Sequence, residues 1–203
     1  VPEKSSTCDL SYEWYWPAVG SLFFSVFYKY IEVIETGGVS LRNLTNAAGN
    51  DFEVLVSGPS NDGAGELKGY EISYIQVYDM LPGLFGNLGV QASYTYVDGD
   101  DFSNTTDVNV VRQAIAAQQP FAGISEHTIN LAAFYEDERF SARLAYNWRS
   151  AYLATPRDDI FPFSPIFVED TGQLDGSLFY TVNDTVRGGM RLDFGVVIVN
   201  YNA

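Results

Sequence analysis

Residues 140–149 read FSARLAYNWR, and the stretch divides cleanly in two. The even positions, Phe140, Ala142, Leu144, Tyr146 and Trp148, are apolar or aromatic. The odd positions, Ser141, Arg143, Ala145, Asn147 and Arg149, are mostly polar and carry two arginines. A period of two sends such sets to opposite faces of a β-strand, whereas a helix would mix them. The segment reads as a strand with one greasy side and one wet side.

The pattern recurs on either side. In 8–16, Cys8, Leu10, Tyr12, Trp14 and Trp16 oppose Asp9, Ser11, Glu13 and Tyr15. In 88–97, Leu88, Val90, Ala92, Tyr94 and Tyr96 oppose Gln91, Ser93 and Thr95. In 127–135, Ile129, Leu131, Ala133 and Tyr135 oppose Thr128, Asn130 and Phe134. In 174–183, Leu174, Leu178, Tyr180 and Val182 oppose Asp175, Ser177, Thr181 and Asn183. Weaker alternation over 21–35, 67–78 and 185–199 brings the expectation to about eight strands. Helical periodicity is clearest over 108–119, where a short helix inside a loop is expected.

The links between these strands alternate in length. Pro17-Ala18-Val19-Gly20, the stretch around Asp79-Met80-Leu81-Pro82-Gly83, Glu136-Asp137-Glu138 and Asn183-Asp184 are compact. Between them lie long connections over 36–66, 98–123 and 150–173, rich in Gly, Asn, Asp, Ser and Pro. In an up-and-down meander, alternate links fall at the same end, so short turns gather at one end and long loops at the other. Outer-membrane barrels have that asymmetry. Most candidate strands approach the ~9–11 residues of a tilted strand crossing a bilayer, rather than the ~5–6 of a soluble sheet. The chain also holds 14 Tyr, 14 Phe and 3 Trp. Tyr and Trp rings suit the boundary between hydrocarbon and water.

Charge narrows the partners. With 11 basic and 26 acidic residues, the 203-residue chain carries −15, which repels nucleic-acid phosphates and disfavours a peripheral protein that docks by charge on anionic lipid. The one cysteine, Cys8, excludes an intrachain disulfide. No apolar run reaches the ~20 residues of a membrane helix, a test that does not bear on membrane strands. The opening Val1-Pro2-Glu3-Lys4 has no signal-peptide character, so the natural start is expected to lie upstream.

Several segments, in order, carry a family likeness. They are Pro2-Glu3-Lys4-Ser5 followed by Asp9-Leu10-Ser11-Tyr12-Glu13-Trp14-Tyr15, then Phe27-Tyr28-Lys29, then Lys68-Gly69-Tyr70-Glu71. Val90-Gln91-Ala92-Ser93-Tyr94-Thr95-Tyr96 and Arg143-Leu144-Ala145-Tyr146-Asn147-Trp148-Arg149-Ser150 follow. Together they resemble the C-terminal barrel portion of TonB-dependent outer-membrane receptors. The resemblance implies an all-β, antiparallel transmembrane barrel, of which this chain is about eight strands out of ~22. Residues 1–203 are expected to form one barrel domain truncated at both ends. The family's plug domain and energy-coupling box have no counterpart here, and Val196-Val197-Ile198-Val199-Asn200-Tyr201-Asn202-Ala203 lacks alternation. The region after Asp193 is accordingly the anomalous end of the chain. The resemblance further implies a place in the outer membrane of a Gram-negative bacterium. It implies lipid around the barrel, TonB as partner through the missing N-terminal part, and uptake of a small-molecule nutrient. It is nearest the subgroup linked with carbohydrate, with siderophore or cobalamin as alternatives.

No catalytic, cofactor-binding or metal-ligating residue is assigned from the sequence. His127, the single histidine, permits no obvious triad and is expected to be packed or solvated. Asp98, Asp100, Asp101, Asp158, Asp159, Glu169 and Asp170 cluster in long loops but match no EF-hand spacing. Both calcium binding and simple solvation fit them. Arg143, Asn147 and Arg149 share the wet side of their strand, where structural pairing is the expected role and contact with a passing solute the alternative. Phe102, Phe121, Phe161, Phe163 and Phe167 suit either stacking on a ligand or packing loops together. Asn43-Leu44-Thr45 and Asn104-Thr105-Thr106 match a glycosylation sequon without meaning in a bacterium. An enzyme is not expected, because no nucleophile and base stand at convincing spacing. Two other architectures fit the alternation: a complete small barrel with a structural or adhesin role, and a secreted carbohydrate-binding β-sandwich.

Overall fold

Alternating segments of this kind bury nothing by themselves, so their pairing decides which sides meet. The computed structural model describes residues 3–17, 19–99, 119–156, 164–181 and 191–200. It contains β1 (Lys4–Trp16), β2 (Gly20–Thr45), β3 (Asp51–Val77), β4 (Leu88–Asp98) and β5 (His127–Glu136). There follow β6 (Phe140–Arg149), β7 (Tyr152–Thr155), β8 (Ile166–Val168), β9 (Thr171–Thr181) and β10 (Arg191–Asn200). Eight strands form one sheet in the order β1-β2-β3-β4-β5-β6-β9-β10, and β7 with β8 makes a separate hairpin. Every pair in the large sheet is antiparallel. The order is a meander with β1 and β10 as its two edges.

The register fuses the greasy sides into one surface. Trp14 faces Leu22, Leu22 faces Tyr74, Tyr74 faces Ala92, Ala92 faces Leu131, Leu131 faces Tyr146, and Tyr146 faces Leu174. Directly opposed residues point to the same side of a sheet, so the alternation of each strand adds to that of its neighbours. This surface is bare: Leu10 is 70% exposed, Leu144 53% and Leu131 48%, with Tyr12, Val26, Ile72 and Leu178 exposed as well. Among the described residues the only buried hydrophobic side chains are Ile31, Leu67 and Leu153. Soluble monomers keep apolar patches to roughly a few hundred Å². The greasy sides are therefore not pressed against one another, and the two-layer sandwich is overturned.

The same row of partners also measures tilt. It starts at Trp14, close to the short-turn end of β1, and finishes at Leu174, close to the long-loop end of β9. A row of cross-strand partners runs perpendicular to the strands, so such a climb means that the strands lean, as in barrel walls.

Two expectations change. The connection over 36–66 is not an irregular loop: β2 and β3, of 26 and 27 residues, continue past the sheet as one long hairpin. Its tip is closed by Asn46, whose side-chain oxygen accepts from the backbone N–H of Ala48 at 2.9 Å and of Asn50 at 3.0 Å. Gly49 supplies the left-handed residue there, at φ 82°. The alternation of Phe52, Val54 and Val56 carried this signal, masked by the surrounding Gly, Ser and Asn. Likewise 150–173 contains the β7–β8 hairpin, and β9 begins earlier than expected, at Thr171. The strand expected over 185–199 is present as β10, which keeps continuous register with β9 from Arg191 to Asn200, through the region after Asp193 that lacks alternation. A β-branched run such as Val196–Val199 favours strand without alternating. The expected helix over 108–119, apart from Gln119, and the Asn183-Asp184 turn lie outside the described residues, as do Asp100, Asp101, Phe102, Asn104, Asp158, Asp159, Phe161 and Phe163.

Candidate functional site

The wet side of β4, β5 and β6 is the chemically richest part of the sheet. Ser93 faces Asn130, and Asn130 faces Asn147. Gln91, Ser93, Asn130, Arg143 and Asn147 line a hollow of about 240 Å³ there. Asn130 Nδ2 donates to Ser93 Oγ at 3.1 Å, which links two of these strands by their side chains. Arg143 stands opposite Phe134 on one side and Ser177 on the other. No carboxylate within ion-pair distance of it is found among the described residues. Amides, hydroxyls and one guanidinium make this a surface for hydrogen bonding.

Arg149, on the same side, holds the rim. Its Nε donates to Ser125 Oγ at 2.9 Å and its Nη2 to the Gly123 carbonyl at 3.2 Å. Its guanidinium lies 3.9 Å from the Tyr152 ring centre. Ser125 Oγ donates in turn to the Ser150 carbonyl at 2.7 Å, and Gly123 N–H to the Leu153 carbonyl at 2.8 Å. Phe121 and Ile124 from the connection after β4 pack with Val97 against buried Ile31 and Leu67. Thus the long-loop end folds inward over the wet side. The structural pairing expected of Arg149 is present, with hydroxyl and carbonyl partners in place of carboxylates. Phe121 is a packing residue, whereas Phe167 is exposed.

His127 lies on the greasy side, opposite Tyr96. Its ring sits 5.3 Å from the Tyr96 ring and stacks on Tyr94 at 6.1 Å, with its Nδ1 2.9 Å from the Tyr94 hydroxyl. Tyr70 joins them, 5.4 Å from Tyr96 and 5.9 Å from Tyr94. This band lies toward the long-loop end. A second lies toward the short turns: Trp16 is 5.6 Å from Trp14 and 6.0 Å from Tyr74, and Trp16 Nε1 donates to Gln76 Oε1. Tyr135 and Phe140 continue that second band at 5.7 Å.

Of the acidic cluster, Asp98 pairs with Lys68 at 3.1 Å and Asp170 accepts from Trp148 Nε1 at 3.3 Å. Among the described residues no group of three or more His, Cys, Asp and Glu side chains is placed to hold a metal ion. At the β5–β6 turn, Asp137 Oδ1 accepts from the N–H groups of Arg139 at 2.8 Å and Phe140 at 2.7 Å. These bonds hold its carboxyl below the usual carboxylate range. The turn was legible as polar, but its Asp-based lock was not.

A family model described as "TonB dependent receptor-like, beta-barrel" matches residues 1–197. Among curated proteins none matches the chain. Two solved structures are similar. The ferric-catecholate import receptor Fiu from E. coli K12, in its closed form, is 20% identical with a TM-score of 0.57. The match covers 95% of this chain and 23% of that one. The siderophore receptor PirA from Acinetobacter baumannii is 13% identical with a TM-score of 0.57, over 96% of this chain and 27% of that one. The chain thus spans about a quarter of the length of these receptors.

Proposed function

The chain belongs to the TonB-dependent receptor β-barrel family, and from that we propose that it is a run of barrel wall from an outer-membrane transporter of a small nutrient. The observation that carries this reading is the two-sidedness of the sheet. One continuous side is apolar and bare, while the other is polar and hollowed. Hydrocarbon suits the first side and an enclosed, hydrated lumen the second. Among the described residues the outer edges of β1 and β10 pair with no further strand, and lipid cannot satisfy the backbone groups there. Further strands of a ~22-stranded barrel satisfy them. On this reading a complete eight-strand barrel is disfavoured, because among the described residues β1 and β10 stand at opposite edges of the sheet and do not pair.

The remaining parts follow from membership. A plug domain fills the lumen, TonB supplies inner-membrane energy through the N-terminal part, and a solute passes the wet wall. We read that solute as rich in hydrogen-bonding groups, carbohydrate first, because Gln91, Ser93, Asn130 and Asn147 offer amides and hydroxyls with one cation, Arg143. A ferric siderophore is the second reading, supported by the names of the two similar receptors.

The test is uptake by cells expressing the full-length receptor, with labelled oligosaccharides set against ferric catecholates. Uptake that requires TonB and drops in Arg143→Ala supports the proposal. Uptake indifferent to TonB refutes it, and saturable uptake of ferric catecholate alone selects the second solute.

A further inference from the structure

The short-turn end of the sheet is unexpectedly greasy over β1 to β4. The link between β3 and β4 folds as a short helical turn, Gly83–Asn87, after Pro82. Around it Leu84 is 72% exposed, Phe85 63% and Met80 61%, with Leu81 exposed too. Val19, in the neighbouring turn between β1 and β2, is 64% exposed. The two turns are joined, since Val77 N–H donates to the Val19 carbonyl at 2.8 Å. Over 78–87 the only charged residue is Asp79. The third short turn, Glu136-Asp137-Glu138-Arg139, is entirely charged. An apolar turn is therefore not a requirement of this end of the sheet; it is local to β1–β4.

Three backbone hydrogen bonds brace the greasy link. Tyr78 N–H donates to the Leu88 carbonyl at 2.8 Å, Leu81 N–H to the Tyr78 carbonyl at 2.9 Å, and Leu88 N–H to the Phe85 carbonyl. Pro82 has no N–H to satisfy. These bonds lower the number of backbone polar groups that the turn would strand in a low-dielectric layer. The patch is also continuous with the bare apolar side: β3 leads into it from Tyr74 and Gln76, beside Trp14 and Trp16, and β4 leads out of it through Leu88 and Val90. Those rings mark the hydrocarbon boundary, and the greasy link begins just beyond them.

We propose that the Met80–Phe85 turn is a lipid anchor, its apolar side chains dipping into the phospholipid monolayer on the short-turn side. It works as an interfacial element does, by apolar area laid into the headgroup and acyl boundary. It fixes the height and tilt of this part of the wall in the bilayer. The inference rests on the barrel reading above, and its test separates the two.

In the full-length receptor with every native cysteine, Cys8 included, replaced by serine, a nitroxide label is placed at Leu84→Cys, Leu144→Cys or Glu138→Cys, and the protein is reconstituted in phosphatidylethanolamine and phosphatidylglycerol vesicles. Collisions with oxygen report hydrocarbon, and collisions with a water-soluble nickel chelate report solvent. The label at 144 should favour oxygen and that at 138 the chelate. The label at 84 should shift from the value at 138 toward that at 144. A label at 84 that matches 138 overturns the anchor, because the turn is then solvated. A label at 84 shielded from both reagents also overturns it, because a protein surface such as the plug then covers the turn. If the label at 144 fails to favour oxygen, the membrane wall itself is refuted.

Discussion

Arg149 Nε donates to Ser125 Oγ at 2.9 Å, tying the end of β6 to the connection that precedes β5. With the Gly123 carbonyl and the Tyr152 ring, this one side chain holds residues from two long connections. Hydrogen bonds from a charged donor contribute about 1.5–3 kcal/mol each. Arg149→Ala should raise amide exchange over 121–125 by roughly ten- to a hundredfold, leaving the β5–β6 ladder unchanged. Arg149→Lys, lacking the planar fork, should recover little. Unchanged exchange in Arg149→Ala refutes the role.

The two sides of β6 should respond oppositely to charge. Leu144→Arg places a cation in the bare apolar band, where the cost near the bilayer midplane is ~2–4 kcal/mol. Asn147→Arg, on the wet side, should cost little. Folding yield of the full-length receptor into lipid, followed by its altered mobility on unheated gels, measures both. Equal losses contradict the assignment of sides.

Gly89 lies beneath the ring of Phe134, its direct partner across β4 and β5, and a Cβ at Gly89 would overlap that ring. Gly89→Ala should destabilise by about 1–3 kcal/mol through overpacking. Because the obstacle is a side chain, Gly89→Ala combined with Phe134→Ala should lose less than the sum of the single changes. Thermal or denaturant unfolding of the four proteins in the cycle decides it, and simple additivity would refute the contact.

Asp137 gives the β5–β6 turn an acid limit. Its two backbone N–H partners favour the ionised carboxylate, so the folded pKa lies below the unfolded value of ~3.9. The stabilisation is fully present above that ordinary value and is lost as pH falls through the lowered folded value. The amide resonances of Arg139 and Phe140 should titrate together with a midpoint under the ordinary aspartate value, and Asp137→Asn should abolish the step. A midpoint at or above ~3.9 would contradict the lock.

Much of this protein is settled by local order in the chain. The period-two alternation of 140–149, 127–135, 88–97 and 8–16 specified strands, and the observed β6 runs over the same residues that the pattern marks. Side-chain direction in a strand is fixed by parity alone, so each greasy and wet set was readable without a partner. The short and long links also fixed which ends lie together. Tertiary structure decided what parity cannot. Only pairing shows that the greasy sides of seven strands, β1 to β6 and β9, join one bare surface, and that β2 and β3 persist through a segment whose Gly, Ser and Asn imitate a loop. Only folding back brings Gly123 and Ser125 to Arg149, or ties the β1–β2 turn at Val19 to the end of β3 at Val77. These are contacts between residues far apart in sequence, and a local period carries no record of them.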